Sequence, residues 1–222
     1  MKEKVVVAWS GGKDSALALY EVLNSRNCDV LALVTTIAKD QDRISIHDVR
    51  RILLEQQAKA LRVPLEELFI LKDASNEAYE TILLKALKRH RGNGVSSVVF
   101  GDLFLEDIRK YRETLLDKAK MNGVFPLWKK DTKKLAHTFV SLGFKAVVTS
   151  VDSRVLEKDF AGRAYDEKFL LDLPAGVDLC GENGEFHTFV YDGPIFYERV
   201  MFKKGEVVLT DNRFYTCDLL PA

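Results

Sequence analysis

The sequence predicts an α/β fold: a Rossmann-like parallel sheet with helices on both faces, followed by a small C-terminal α+β lobe. Two observations support this prediction. Short apolar runs alternate with amphipathic helical patterns up to about residue 150, and beyond that point strand-like runs follow one another at hairpin spacing. Alternation of the first kind is typical of parallel sheets, because parallel strands need long, usually helical, crossovers. We therefore expect an α/β domain at 1–150 and a smaller lobe at 151–222.

Five apolar runs in the first part of the chain predict strands that are buried on both faces. Helical patterns lie between them, and those around 79–87 and 108–119 place apolar residues three and four positions apart. Ligands of parallel sheets bind beyond the carboxyl ends of the strands, where we expect the site. The strand runs are Val5–Trp9, Val30–Thr35, Leu68–Leu71, Val95–Phe100 and Ala146–Ser150.

The pattern changes after about residue 150. A break at Pro174–Gly176 precedes four further strand-like runs, and short turns at Lys204-Gly205 and Asp211-Asn212 predict antiparallel hairpins among the last three runs. The four runs are Phe186–Tyr191, Glu198–Phe202, Val207–Thr210 and Phe214–Asp218.

The chain has no net charge, with 33 Lys and Arg against 33 Asp and Glu among 222 residues. This balance argues against nucleic acid or a membrane surface as a partner, so an anion site has to be local. The three cysteines, Cys28, Cys180 and Cys217, have neither disulfide-framework nor zinc-knuckle spacing. No apolar run approaches the roughly 18 residues of a membrane helix. We expect a cytoplasmic protein, and a homodimer is one arrangement that the sequence allows.

A phosphate loop is predicted at Ser10-Gly11-Gly12-Lys13-Asp14-Ser15, between the first strand and a helix. Its glycines permit positive φ angles and a close approach to an anion, and the first N–H groups of the helix point at that anion. Its lysine supplies a charge, and its two serines supply hydroxyl donors. Asp14 either holds Mg²⁺ or caps the helix. The alternative is an ordinary Gly-Gly turn before a helix.

Further polar residues follow the fourth predicted strand. Gly101-Asp102 lies at the carboxyl end of that strand, where a carboxylate is well placed for Mg²⁺. A helix N-cap is an equally good interpretation of Asp102 from position alone. Arg109 and Arg112 follow on the polar side of the next helix, where either a substrate contact or a solvated helix face fits the pattern.

The densest polar cluster is Gly181-Glu182-Asn183-Gly184-Glu185-Phe186-His187-Thr188. In an extended segment Glu185 and His187 share one face, and a carboxylate beside an imidazole can perform acid–base chemistry or orient a substrate amide. Zinc binding is disfavoured because no cysteine or histidine with ligand spacing lies nearby. A turn at Asn183-Gly184 beside a solvated strand is the alternative.

The loop Ser10–Ser15 resembles the SGGxDS signature of the PP-loop ATP pyrophosphatases, which implies an adenine nucleotide alpha hydrolase-like fold. In that superfamily the loop holds the β- and γ-phosphates of ATP, and a substrate atom attacks the α-phosphate. Along nearly its whole length the chain is similar to the diphthine–ammonia ligase-like family. The motifs that carry this similarity are Trp9–Ser15, Ile46-His47, Gly101-Asp102, Arg112-Glu113, Pro126-Leu127-Trp128, Gly162-Arg163 with Asp166 and Phe169-Leu170, and Gly181–Pro194.

One motif departs from the best-known members of the family. True diphthine–ammonia ligases carry Glu-Gly-Gly-Glu, an aromatic residue and Glu, whereas this chain has Asn183 and His187 at the second and last of these positions. A second branch, linked to cobalamin salvage, is similar to Glu-Asn-Gly-Glu-Phe-His as it stands here. The resemblance therefore implies ATP as the nucleotide but leaves diphthine in doubt as the acceptor.

We expect a ligase that splits ATP to AMP and pyrophosphate, adenylates a carboxylate on a small molecule or a protein side chain, and forms an amide with ammonia or an amine. The expected catalytic residues are Lys13, Asp14, Asp102, Glu185 and His187, and Mg²⁺ would be held by Asp14 and Asp102. The expected substrate residues are His47, Arg109, Arg112, Glu182, Asn183, Glu185 and His187, and the loop Ser10–Ser15 binds ATP. A tRNA-modifying enzyme and an ATP or AMP sensor without turnover are the alternatives.

Overall fold

The computed structural model describes residues 2–44, 49–71 and 74–222, so the predicted substrate residue His47 lies outside the described part. The described residues cluster into two compact units. The first unit covers those within Met1–Ser10, Asp14–Ser45 and Val63–Trp128, and the second covers those within Gly11–Lys13, Ile46–Arg62 and Lys129–Ala222.

The elements in chain order are β1 (Glu3–Ala8), α1 (Lys13–Ser25), β2 (Cys28–Ala38), β3 (Arg43–Ile44), α2 (Arg51–Leu61), β4 (Leu65–Ile70), α3 (Asn76–Gly92), β5 (Ser97–Val99), α4 (Glu106–Ala119), β6 (Asn122–Val124), α5 (Thr132–Ser141), β7 (Lys145–Asp152), a 3₁₀ helix (Lys158–Phe160), α6 (Glu167–Asp172), β8 (Phe186–Asp192), β9 (Phe202–Thr210) and β10 (Phe214–Pro221). Strands and helices alternate up to β8, apart from the short β3 that follows β2 directly, and the last three elements are strands.

The first unit is built on a mostly parallel sheet. Its order is β3-β2-β1-β5-β6, with β4 also paired to β2, and only β3 runs antiparallel to its neighbour. Val5, Val6 and Val7 are fully buried, so both faces of β1 are covered. Helices α3 and α4 cover the face that carries Val6 and Val98. The predicted Rossmann-like sheet flanked by helices is confirmed.

The second unit contains a four-stranded antiparallel sheet in the order β8-β7-β10-β9. The hairpin at Asp211-Asn212 is confirmed, with both turn residues at positive φ. The predicted turn at Lys204-Gly205 is wrong, because β9 continues through it. β9 begins only at Phe202, so the run predicted from Glu198 is mostly outside the strand.

The run Ala146–Ser150 is a strand, but its place in the parallel sheet was predicted wrongly. It forms β7, an inner strand of the antiparallel sheet, and the edge of the parallel sheet is the three-residue β6 instead. β7 is apolar throughout because both its faces are buried, and burial of both faces does not depend on whether the neighbouring strands are parallel. β6, with the sequence Asn-Gly-Val, is too short and polar to be recognised as a strand.

Polar side chains fix the starts of three helices, as their residue types predict. Ser75 accepts a hydrogen bond from the Ala78 N–H, Asp131 from the Lys134 N–H, and Asp166 from the Phe169 N–H. Within the described part of the chain, no helix combines the length and apolar character needed to cross a membrane.

Candidate functional site

The predicted phosphate loop lies between β1 and α1, as expected. Gly11 has φ 76°, a conformation that favours glycine, whereas Gly12 does not have positive φ, contrary to the expectation for both glycines. A Cβ atom on Gly11 would meet Gln57 Oε1 and Leu54 Cδ2, each at 2.8 Å. Glycine is therefore required at position 11 by its backbone angle and by its neighbours.

Lys13, the first residue of α1, is buried and packs against β8 within the second unit. Its N–H donates to Thr188 Oγ1 at 3.1 Å, and its Nζ lies 5.6 Å from the centre of the Phe186 ring. The lysine that sequence analysis assigned to the nucleotide therefore contacts the start of the strand assigned to the acceptor substrate. Ser10 Oγ and Ser15 Oγ, both predicted phosphate donors, are 3.2 Å apart.

Asp14 lies inside the first turn of α1, so the alternative that it is the N-cap residue of this helix is wrong. The backbone of Gly101 packs directly against Asp14 and Ser15 in the first unit. A Cβ atom on Gly101 would lie 2.7 Å from the Asp14 carbonyl carbon and 2.8 Å from the Ser15 nitrogen. The loop after β5 and the start of α1 are thus in contact, as expected at the carboxyl ends of neighbouring parallel strands.

Asp102 forms an ion pair and does not cap α4, whose N-cap residue is Leu105. Arg112 Nη2 donates to Asp102 Oδ1 at 3.1 Å, and Arg112 Nε lies 2.6 Å from Oδ2. The guanidinium of Arg112 also stacks on Phe100, 4.5 Å from the ring centre. The N-cap interpretation of Asp102 and the solvated-face interpretation of Arg112 are therefore both wrong.

Arg109 is half-buried between two aromatic rings. Its guanidinium carbon lies 4.5 Å from the centre of Phe125 and 4.7 Å from that of Trp128, and its Nε donates to Glu113 at 2.7 Å. Arg109 and Trp128 line an open cavity of about 470 Å³ on the first unit. This arginine is held by its neighbours and does not lie on a freely solvated helix face.

The two carboxylates predicted to bind Mg²⁺ meet the requirements of that ion only in part. In protein sites this ion commonly takes one or two carboxylates and completes its shell with substrate phosphates and water. Asp14 supplies one carboxylate in the first turn of α1, but Asp102 already neutralises Arg112 and would have to exchange that partner. Among the described residues, no group of three or more His, Cys, Asp or Glu side chains could hold a metal by itself.

Glu185 is almost fully buried, and both of its carboxylate oxygens accept hydrogen bonds from the preceding loop. Oε1 accepts from the Asp178 N–H at 3.1 Å and from Asn183 Nδ2 at 2.9 Å, and Oε2 accepts from the Asn183 N–H at 2.9 Å. These three donors hold the carboxylate in one position. In this structure Glu185 holds the turn that presents Glu182 and the exposed Asn183.

Asp178 organises the other side of the same turn and was missed by sequence reasoning. Its Oδ1 accepts from the N–H groups of Cys180 and Glu182, at 2.9 and 3.3 Å. Its Oδ2 accepts from Thr132 Oγ1 at 2.6 Å. An aspartate at the first position of a tight turn is a recognisable signal for such bonds, whereas the contact with Thr132 could not be read from sequence.

His187 lies on β8 and is partly buried. Burial, and after it the positive charge of Lys13, lower the pKa of its imidazole from 6.5 to about 4. The ring is therefore neutral near pH 7, with one nitrogen able to donate and the other able to accept. The structure thus brings Lys13, Phe186, His187 and Thr188 together.

A family model described as the diphthamide synthase N-terminal domain matches residues 3–124, and one described as the diphthamide synthase C-terminal domain matches residues 131–217. The chain belongs to the diphthamide synthase family. Diphthine–ammonia ligase of Homo sapiens is 24% identical over 234 residues, covering 93% of this chain and 85% of that protein. The Bos taurus ligase is also 24% identical, with 92% and 85% coverage.

Diphthine–ammonia ligase of Schizosaccharomyces pombe is 27% identical, and the match covers 92% of this chain but 37% of that protein. Among solved structures, a predicted subunit of tRNA methyltransferase from Methanocaldococcus jannaschii shares 18% identity over 67% of this chain and 80% of that chain, with a TM-score of 0.42. This structural likeness is too distant to carry functional information. Family membership and the loop identify a PP-loop, ATP-binding protein of the ligase type.

Proposed function

We propose that this diphthamide synthase family member adenylates a substrate carboxylate with ATP, releases pyrophosphate, and forms an amide when ammonia or an amine displaces AMP. The observation that carries the proposal is the contact of Lys13 with β8. The lysine of the phosphate loop donates through its N–H to Thr188, the residue after His187 in the segment proposed to bind the acceptor. This reaction requires a loop that binds pyrophosphate next to a segment that binds the acceptor.

The nucleotide half of the reaction would rest on the loop Ser10–Ser15. The N–H groups at the start of α1 and the ammonium group of Lys13 would neutralise the β- and γ-phosphates as pyrophosphate leaves. Asp14 would hold Mg²⁺, which shields the charge of the phosphates. Asp102 would contribute by fixing Arg112 beside this end of the sheet, and would bind Mg²⁺ only if it left that arginine.

The acceptor half would rest on the segment Glu182–His187. Ammonia that attacks an acyl-adenylate must lose a proton as the amide forms, and the neutral imidazole of His187 can accept it. Glu185, with its oxygens bound to the loop, would position Glu182 and Asn183 toward the substrate. Arg109 and Arg112 are proposed to bind the acceptor, since their guanidinium groups suit a carboxylate.

Diphthine is the acceptor named for the relatives, at 22–27% identity. Asn183 and His187 differ from the pattern of those enzymes, and an amide ligase acting on a cobalamin-related acid remains the second candidate on that ground. Both acceptors share a carboxylate that becomes an amide.

The reaction products test the proposal. The protein would be incubated with ATP, Mg²⁺, ammonium and a panel of candidate carboxylates, and the nucleotides separated by chromatography. We expect AMP and pyrophosphate, with Lys13→Ala losing activity and ATP affinity falling roughly ten- to a hundredfold, because a charge-assisted phosphate contact is lost. Lys133→Ala, at an exposed position of α5, is the matched control and should behave like wild type.

Two outcomes would contradict the proposal. ADP and orthophosphate as products would place the chemistry among kinases or ATPases. A stable ATP complex without pyrophosphate release, for every carboxylate in the panel, would favour the sensor alternative.

A further inference from the structure

We propose that Gln57 is a positioning residue for the phosphate loop: it orients the Gly11–Gly12 peptide so that the loop can bind the nucleotide phosphates. The inference rests on the proposed function, since it assigns a role in the same ATP site. Gln57 lies on α2, distant in sequence from the loop, and no motif of the chain includes it. The residues that carry the argument all belong to the second unit.

The side chain of Gln57 is fully buried and joins two backbone segments. Its Nε2 donates to the carbonyl of Gly11 at 2.9 Å and also to the carbonyl of Val190 on β8. The Val190 N–H donates to the same Gly11 carbonyl at 2.9 Å. The Gly11 carbonyl therefore accepts two hydrogen bonds, one from the side chain of α2 and one from β8.

The planar geometry of the peptide bond determines where the Gly12 N–H points once the Gly11 carbonyl is held in place. No cis peptide bond occurs among the described residues, and in a planar trans peptide the C=O and the following N–H point to opposite sides. With the Gly11 carbonyl held toward Gln57 and Val190, the Gly12 N–H is aimed away from them. In a loop that binds phosphate through backbone N–H groups, the direction of each N–H determines whether it donates to the ligand.

The amide of glutamine suits this position better than other side chains of its size. It must donate to two carbonyl oxygens in a buried place, which a carboxylate cannot do when ionised and an apolar side chain cannot do at all. Gly11 also has no room for a side chain on the side of Gln57, since a Cβ would come within 2.8 Å of Oε1. The side chain of Gln57 therefore bonds to Gly11 and also occupies the space that a side chain at position 11 would need.

The test compares ATP affinity in Gln57→Leu and Gln56→Leu by calorimetry with Mg²⁺ and a non-hydrolysable ATP analogue. Gln56 precedes Gln57 on α2, is only partly buried, and offers the same substitution at a neighbouring position. We expect Gln57→Leu to bind the analogue at least about tenfold more weakly, since two buried hydrogen bonds are lost. Gln56→Leu should bind it like wild type.

Gln57→Glu separates positioning from a merely structural role. A protonated glutamic acid donates one hydrogen bond to the carbonyls, whereas the ionised form is repelled by both. The affinity of Gln57→Glu, relative to wild type at the same pH, should therefore fall as the pH rises. Circular dichroism at each pH shows that the measured protein is folded. A purely structural role predicts a folded variant that binds like wild type throughout.

The two proposals fail in different ways. If wild type itself does not bind the analogue, the proposed ATP site is wrong. If wild type binds it and folded Gln57→Leu and Gln57→Glu bind equally well at every pH, the ATP site stands and the role of Gln57 is overturned. Should Gln57→Leu not fold, the pH dependence of Gln57→Glu decides between the two outcomes.

Discussion

Lys13 and His187 show how one buried environment sets the charge state of a site residue. Burial opposes a positive charge on the imidazole, and the ammonium group of Lys13 opposes it too, so the pKa of His187 falls to about 4. The neutral ring has one nitrogen that donates a hydrogen bond and one that accepts. Sequence analysis identified both residues but did not place them together.

The lowered pKa of His187 predicts a pH dependence of stability. Between about pH 4 and 6.5 the unfolded chain binds this proton and the folded chain does not, so the free energy of unfolding falls as the pH falls through that range. The loss should reach about 2–3 kcal/mol at pH 4, at about 1.4 kcal/mol per pH unit, and none of it should occur above pH 6.5. Urea denaturation of wild type and His187→Gln across this range measures it.

The control for this prediction is Gln56→Leu, a substitution on α2 that removes no ionisable group. It should keep the wild-type dependence between pH 4 and 6.5, whereas His187→Gln should be flatter. Equal slopes for wild type and His187→Gln would show that His187 is protonated as readily in the folded chain as in the unfolded chain.

Glu185 shows that residue type alone does not reveal the burial or the hydrogen bonds of a side chain. A glutamate in a polar cluster is a reasonable catalytic candidate, but the burial and the three donors around its carboxylate depend on the fold of the whole 178–185 turn. Asp178 and Gln57 were missed for the same reason. Thr132, which bonds Asp178, and Gly11, which bonds Gln57, are both distant in sequence, and contacts of this kind leave no pattern in the chain.

At the scale of elements, the contact between the loop after β5 and the start of α1 predicts the effect of a single methyl group. Gly101→Ala would place a Cβ atom about 2.7–2.8 Å from backbone atoms of Asp14 and Ser15, which cannot move aside as a flexible side chain can. We expect the free energy of unfolding to fall by about 1–3 kcal/mol, together with weaker ATP binding, measured by urea denaturation and calorimetry.

Gly92→Ala is the matched control, because a Cβ at Gly92, the last residue of α3, meets no atom within 4 Å. The free energy of unfolding of this variant should equal that of wild type or lie slightly above it, because alanine is a better helix residue than glycine. If Gly101→Ala were as stable as wild type and bound ATP equally well, the close packing of β5 and α1 at this point would be disproved.

For the whole molecule, the balanced charge predicts that tRNA is not a ligand. Without a basic surface excess, the electrostatic attraction that supplies most non-specific nucleic-acid binding is missing. Fluorescence anisotropy with labelled bulk tRNA should show no binding up to about 100 μM protein at roughly 0.15 M salt, a range in which non-specific binders are typically detected. Tight, salt-dependent binding of tRNA would contradict this prediction and support the alternative of a tRNA-modifying enzyme.

The sequence by itself determined the class of fold, the phosphate loop and the family, because periodicity, glycine placement and motif spacing are local properties of the chain. The predicted domain boundary at residue 150, the cytoplasmic location, the homodimer and the site roles stay predictions. Only the tertiary structure decided that β7 belongs to the antiparallel sheet, that Lys13 lies against β8, and that Gln57 holds Gly11. Each of these depends on contacts between residues far apart in sequence, where burial and hydrogen bonding are set by the packed neighbours and leave no periodic signal.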